Sequence, residues 1–127
     1  MALNHVHLKV QNIESTRGFY ETHFGFHTAE VSHGESYLTD NRGSWITLSL
    51  KEASEPSLPS WFHFGFCLDS REEVTTLFHS LKSANLTFDR ELTHFADHGT
   101  TFYVRDPEGN RVEVSWIKSR PLGRLHG

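Results

Sequence analysis

His5-Val6-His7-Leu8-Lys9-Val10 and His63-Phe64-Gly65-Phe66-Cys67-Leu68 open the two halves of this chain in the same way. Each run alternates in polarity and is led by a histidine. Each reaches a helix-capping residue after the same interval, Asn12 in the first and Ser70 in the second. In the first run Val6, Leu8 and Val10 share one face of a strand, and His5, His7 and Lys9 share the other. In the second, Phe62, Phe64, Phe66 and Leu68 oppose Trp61, His63, Gly65 and Cys67.

The order of elements after each run repeats too. Asn12 begins a helix through about Phe24, with Ile13, Phe19, Tyr20 and Phe24 as apolar contacts and Gly25 as its C-terminal cap. Strands come next over Phe26–Val31, Glu35–Thr39 and Ser44–Leu50, with Asp40-Asn41-Arg42-Gly43 as the last turn. In the second half, Ser70-Arg71-Glu72-Glu73 reads as a capping box, and Val74, Leu77, Phe78 and Leu81 fall at helical spacing. Strands are expected near Leu86–Leu92, Thr100–Arg105 and Asn110–Ile117, with Asp106-Pro107-Glu108-Gly109 turning into the last. Lys51–Pro59 links the halves, and Ser119–Gly127 reads as a loose tail. The expectation is an α+β fold of two βαβββ modules, about 3–52 and 61–118, within one domain over 1–127 and repeating at about 58 residues.

Bulk properties narrow the class. At 127 residues the chain suffices for one domain with a real core. Its 36% hydrophobic and 22% charged residues are those of a globular protein, and a net charge of −4 argues against nucleic acid as a partner. No apolar run approaches the roughly 20 residues of a membrane helix. Met1-Ala2-Leu3-Asn4-His5 enters a strand pattern at once, which argues against a signal peptide. The lone Cys67 forms no intrachain disulfide and fits a reducing, cytoplasmic setting.

The faces turned away from the helices carry His5, His7, Trp45, Thr47, Ser49, His63, Thr101, Tyr103, Arg111, Glu113 and Ser115. A polar and aromatic face is wasteful in a core and suits a curved, partly open cavity. Two histidines and a carboxylate bind divalent first-row metals and leave positions open for substrate. An isolated strand histidine is more often half-buried and bonded to backbone. Duplication weighs against that for His5 and His63, which occupy matching positions. Glu113 alone would be an exposed carboxylate paired with Arg111 or Arg105, worth little.

At these residues the sequence resembles the vicinal oxygen chelate superfamily, which includes glyoxalase I, extradiol dioxygenases, fosfomycin-resistance enzymes and bleomycin-binding proteins. Phe19-Tyr20-Glu21-Thr22-His23-Phe24-Gly25-Phe26 is similar to the family's first-helix ending. The resemblance implies a curved mixed sheet around a metal-binding cavity, with His5, His63 and Glu113 as ligands. It also implies a small-molecule substrate chelated through vicinal oxygens. The implied cofactor is a divalent metal, Fe(II) first, with Mn(II), Zn(II) or Ni(II) as alternatives. A homodimer is implied as well, His5 of one subunit joining His63 and Glu113 of the other.

His94, Phe102-Tyr103, Asp106-Pro107-Glu108-Gly109 and Glu113 resemble the extradiol signature, which makes Tyr103 and His94 the expected catalytic groups and ring cleavage the first reading. A fosfomycin-resistance-like thiol transferase shares the three ligands, with Arg90, Lys118 and Arg120 as nearby basic candidates. A glyoxalase-like lyase would need a fourth ligand, where Thr47 or Ser49 stands. His7, Trp45 and Thr47 are the candidate substrate contacts. A metal-free drug-binding module, its cleft lined by Trp45, Trp61 and Trp116, is the alternative outside enzymes.

Overall fold

The structure is a computed structural model and describes residues 1–118; the expected tail, with Arg120, lies outside the described residues. The chain divides into two compact units, Met1–Leu58 and Pro59–Gly127. Each is an α+β module with a four-stranded mixed sheet.

In the first module β1 (His5–Val10) leads into α1 (Ile13–Phe24), then β2 (His27–Ser32), β3 (Glu35–Thr39) and β4 (Trp45–Leu50). The sheet order is β1-β4-β3-β2, with β1 parallel to β4 and the other pairs antiparallel. Asn12 caps α1 by accepting from the Ser15 amide at 3.0 Å, a bond worth about 1 kcal/mol. At the other end Gly25 turns left-handed (φ 73°), a conformation that glycine adopts without steric cost. Tyr20 is fully buried, and Phe19, Phe24 and Phe26 pack around its ring. With Leu8, Val10, Leu38, Ile46 and Leu48 they form the core between helix and sheet.

The second module repeats the plan: β5 (His63–Cys67), α2 (Arg71–Ser83), β6 (Phe88–Phe95), β7 (Gly99–Arg105) and β8 (Arg111–Ile117), in sheet order β5-β8-β7-β6. Ser70 accepts from the Glu73 amide at 3.1 Å, as the capping-box reading expects. Glu73 reaches back one residue further than that motif implies, to the Asp69 amide at 2.8 Å. Val74, Phe78 and Leu81 are buried under α2 with Phe102, Val104, Val112 and Val114. Leu77, expected in the same stripe, is only half-buried.

The β7–β8 turn is organised by a buried carboxylate. Asp106 Oδ1 accepts from the amides of Glu108 and Asn110, both at 2.9 Å, while Oδ2 accepts from the Asn110 side chain at 3.0 Å. These bonds set the register of the hairpin that pairs Tyr103 with Glu113.

β6 differs from expectation. It continues to Phe95, beyond the expected end at Leu92, because a three-residue turn folds Thr93-His94-Phe95 back onto Gly99-Thr100-Thr101. Its register shifts between Phe88 and Arg90 and again between Arg90 and Thr93.

The internal repeat holds at the level of rungs. Tyr37 pairs with Thr47 as Tyr103 pairs with Glu113, and His7 pairs with Thr47 as Gly65 pairs with Glu113. At Gly65 an added β-carbon would stand 2.6 Å from the Glu113 carbonyl oxygen and 3.0 Å from the Glu113 β-carbon. Gly65→Ala should therefore force β5 and β8 apart. We expect a loss of about 1–3 kcal/mol, read as a lower urea midpoint with an unchanged slope.

Candidate metal centre

β5, β8 and β7 bring His63, Glu113 and Tyr103 onto one face of the second sheet. Gly65 lies directly opposite Glu113, and its missing side chain lets the glutamate approach β5. His63 Nε2 then stands 3.4 Å from Glu113 Oε1, and the His63 and Tyr103 ring centres are 5.9 Å apart.

The other ring nitrogen decides what this pair can do. His63 Nδ1 lies 3.1 Å from the Trp61 carbonyl oxygen. A backbone carbonyl only accepts, so Nδ1 carries the proton and donates it. In the neutral ring Nε2 is then an acceptor facing another acceptor, the Glu113 carboxylate. Only a proton or a cation between them makes that approach favourable. A histidine whose second nitrogen is anchored to a carbonyl is also the usual form of a metal-ligating histidine. The donor set fits a divalent ion.

His5 belongs to the first module, exposed at the start of β1, with its Nδ1 donating to Asn4 Oδ1 at 3.0 Å. Its Nε2 is thereby left in the same form as that of His63. His7, Trp45 and Thr47 share its face: His5 pairs with Trp45, and His7 with Thr47. His7 Nε2 contacts Ser49 Oγ at 2.7 Å and lies 3.7 Å from Glu35 Oε2, while the Tyr37 hydroxyl donates to Glu35 Oε1 at 2.6 Å. That last bond, made to a carboxylate, holds the Tyr37 phenol above its ordinary pKa. Among the described residues no three His, Cys, Asp or Glu side chains gather as a ready-made ligand cluster; His63 and Glu113 are two of the three expected ligands, and they stand together.

His94 is not brought to this face. It pairs with Thr100, which faces the helix side with Phe102 and Val104, and its Nδ1 hydrogen-bonds Thr100 Oγ1 at 2.8 Å. Uninterrupted alternation would carry His94 on the side of Arg90, whose partner is Tyr103. The register shift between Arg90 and Thr93 reverses that side. His94 therefore lies on the opposite face of the sheet from His63, Tyr103 and Glu113.

Three arginines surround Tyr103. Arg111 and Arg90 lie 5.7 and 5.6 Å from its ring centre, and Arg105 sits opposite Arg111 in the β7–β8 ladder. Asp89 serves two of them, at 2.6 Å from Arg105 and 2.8 Å from Arg111. Desolvation raises the Asp89 carboxyl, but the Arg111 and Arg105 hydrogen bonds together outweigh it and hold its pKa below the ordinary value. The role of Gly65 escaped the sequence reading, because a close cross-strand approach has no signature along a single strand.

Comparison with known proteins places the chain. It is 28% identical over 118 residues to a probable trivalent organoarsenical cleaving enzyme of Bacillus subtilis strain 168, covering 91% of this chain and 80% of that protein. It is 26% identical over 116 residues to the glutathione transferase FosA of Serratia marcescens, covering 89% and 79%. Among solved structures, a possible glyoxalase from Bacillus cereus superposes with a TM-score of 0.74 at 30% identity, over 90% of this chain and 97% of that one. The family model matched over residues 2–114 completes the assignment: the chain belongs to the Glyoxalase/Bleomycin resistance protein/Dioxygenase superfamily.

Proposed function

We propose that the chain is a divalent-metal-dependent enzyme acting on a small substrate that meets the metal through two neighbouring oxygens. His63 and Glu113 supply two ligands and His5 the third, contributed across a homodimer, while Tyr103 hydrogen-bonds the substrate. The observation that carries this reading is geometric: His63 Nδ1 lies 3.1 Å from the Trp61 carbonyl oxygen, which leaves Nε2, 3.4 Å from Glu113 Oε1, as the nitrogen that would ligate beside the carboxylate. The metal would act as a Lewis acid on the chelated oxygens, and Fe(II), Mn(II), Zn(II) and Ni(II) all suit two imidazoles and one carboxylate.

The finer chemistry turns on His94. Ring cleavage calls for two proton-handling groups, Tyr103 and His94, and only Tyr103 stands on the site face. Opening of an electrophile by a thiol or by water needs one donor beside the metal, so the present geometry favours addition over oxidative cleavage. The likeness to a glutathione transferase supports the same choice. Organoarsenical cleavage is less well supported: trivalent arsenic is soft and seeks several thiolates, and the chain has one cysteine.

Metal titration coupled to thermal unfolding tests the site. The wild type should gain about 2.7 kcal/mol at a free metal concentration of 100 times Kd, and His63→Ala should lose that gain. His94→Ala should retain it. If none of the four metals stabilises the wild type, the drug-binding reading replaces this one. Subunit sharing has its own test: inactive His5→Ala and Glu113→Ala chains, mixed under conditions of proven subunit exchange, should regain part of the activity. To separate the chemistries, thiol consumption with small epoxides is measured against oxygen uptake with catechols; oxygen uptake alone would return the chain to ring cleavage.

A further inference from the structure

Glu113 lies among arginines and pairs with none of them. Arg111 is two residues away on the same face of β8, and Arg105 is opposite Arg111 on β7. Residues two apart on a strand are roughly 7 Å apart, within the reach of an arginine side chain. The Arg111 guanidinium already lies 5.7 Å from the ring centre of Tyr103, the cross-strand partner of Glu113. Yet among the described residues the only basic side chain that meets Glu113 is His63.

Asp89 accounts for this. Its Oδ2 accepts from Arg111 Nε at 2.8 Å and stands 2.6 Å from Arg105 Nη2. Arg105 is held on its other side, where Nη1 donates to the Gly109 carbonyl. The irregularity of β6 makes the arrangement possible. Between Phe88 and Arg90 the register shift inserts one residue against β7, so Asp89 and its neighbour Arg90 both reach the face of Tyr103. Regular alternation would send one of them to the helix side. Arg90 is the remaining arginine of this face. It lies between the rings of Phe95 and Tyr103, 5.6 Å from each centre, on a strand two removed from that of Glu113.

A carboxylate forked by a guanidinium is a poor ligand, because its oxygens are already taken by N–H donors. We propose that Asp89 is a positioning residue for this site: by holding Arg111 and Arg105 it keeps the Glu113 carboxylate open to a metal ion. This rests on the metal-centre reading for the ion itself; the holding of Arg111 away from Glu113 stands on the geometry of those side chains alone.

Two measurements on the full-length protein separate these parts. In the metal-free state the Glu113 carboxyl carbon is followed by ¹³C NMR. Its signal should shift in Asp89→Asn, where Arg111 turns to Glu113, and return in Asp89→Asn/Arg111→Gln. Mn(II) binding is then read by electron paramagnetic resonance. With Arg111 on Glu113 for about nine-tenths of the time, the apparent Kd rises about tenfold, the loss expected in Asp89→Asn. The double variant should recover to within about threefold of wild type, a rescue that a purely structural role of Asp89 does not produce. Arg111→Gln alone should change the Kd by less than about threefold, because Arg111 is already withdrawn. A tightening of about tenfold in Arg111→Gln would mean that Asp89 does not hold Arg111 off, and it overturns the proposal even where Asp89→Asn does not fold. A folded Asp89→Asn with an unchanged Glu113 signal overturns it as well. A wild type that binds no Mn(II) while the carbon signals move as expected would sink the metal reading and leave the hold on Arg111 standing.

Discussion

The hydrogen bond from His63 Nδ1 to the Trp61 carbonyl is the constraint on which the chemistry of this face depends. It is an ordinary contact between a side chain and the backbone two residues earlier. Its effect is to decide which nitrogen is free. Had Nε2 carried the proton, His63 and Glu113 would satisfy each other as donor and acceptor, a self-contained pair with no need of anything else. With a proton on Nδ1 alone, two lone-pair-bearing atoms would stand face to face, an arrangement completed by positive charge, whether a second ring proton or a metal ion.

The sheet holds them there through register. Parallel pairing of β5 with β8 sets Gly65 against Glu113, and antiparallel pairing of β7 with β8 sets Tyr103 on its other side. The Asp106 carboxylate fixes that second pairing from the turn. A slip of one residue anywhere in this ladder would turn Glu113 toward α2, among Phe102, Val104 and Val114. Packing of the apolar face under the helix therefore specifies the polar face above it. The same side chains that stabilise the module aim the site.

Much of this is legible in the chain itself, for definite reasons. Caps at Asn12 and Ser70, the left-handed Gly25 and the turn at Asp106-Pro107-Glu108-Gly109 are local, each determined by a few adjacent residues. Strict alternation in β1, β5 and β8 correctly places His5, His63 and Glu113 on the faces away from the helices. β6 is not legible in this way. Its register shifts change the phase of alternation between Arg90 and Thr93, and no residue in Arg90-Glu91-Leu92-Thr93 announces that change. His94 moves to the helix side as a result. The aromatic clasp on Arg90 is hidden for the same reason, since Phe95 reaches the site face only once the phase has changed.

The equivalence of His7 and Gly65 explains how a duplicated fold comes to make an unduplicated site. Both residues occupy the position opposite the β4 or β8 residue that could carry a ligand, Thr47 in one module and Glu113 in the other. In the second module that position is hollow, and a glutamate can lean across it toward its histidine. In the first it is filled by an imidazole bonded to Ser49, so a glutamate grafted at Thr47 would find its path to His5 occupied. The two halves thus inherited one scaffold and lost interchangeability at a single rung. One presents His5 with no carboxylate leaning toward it from β4, the other holds Glu113 against His63.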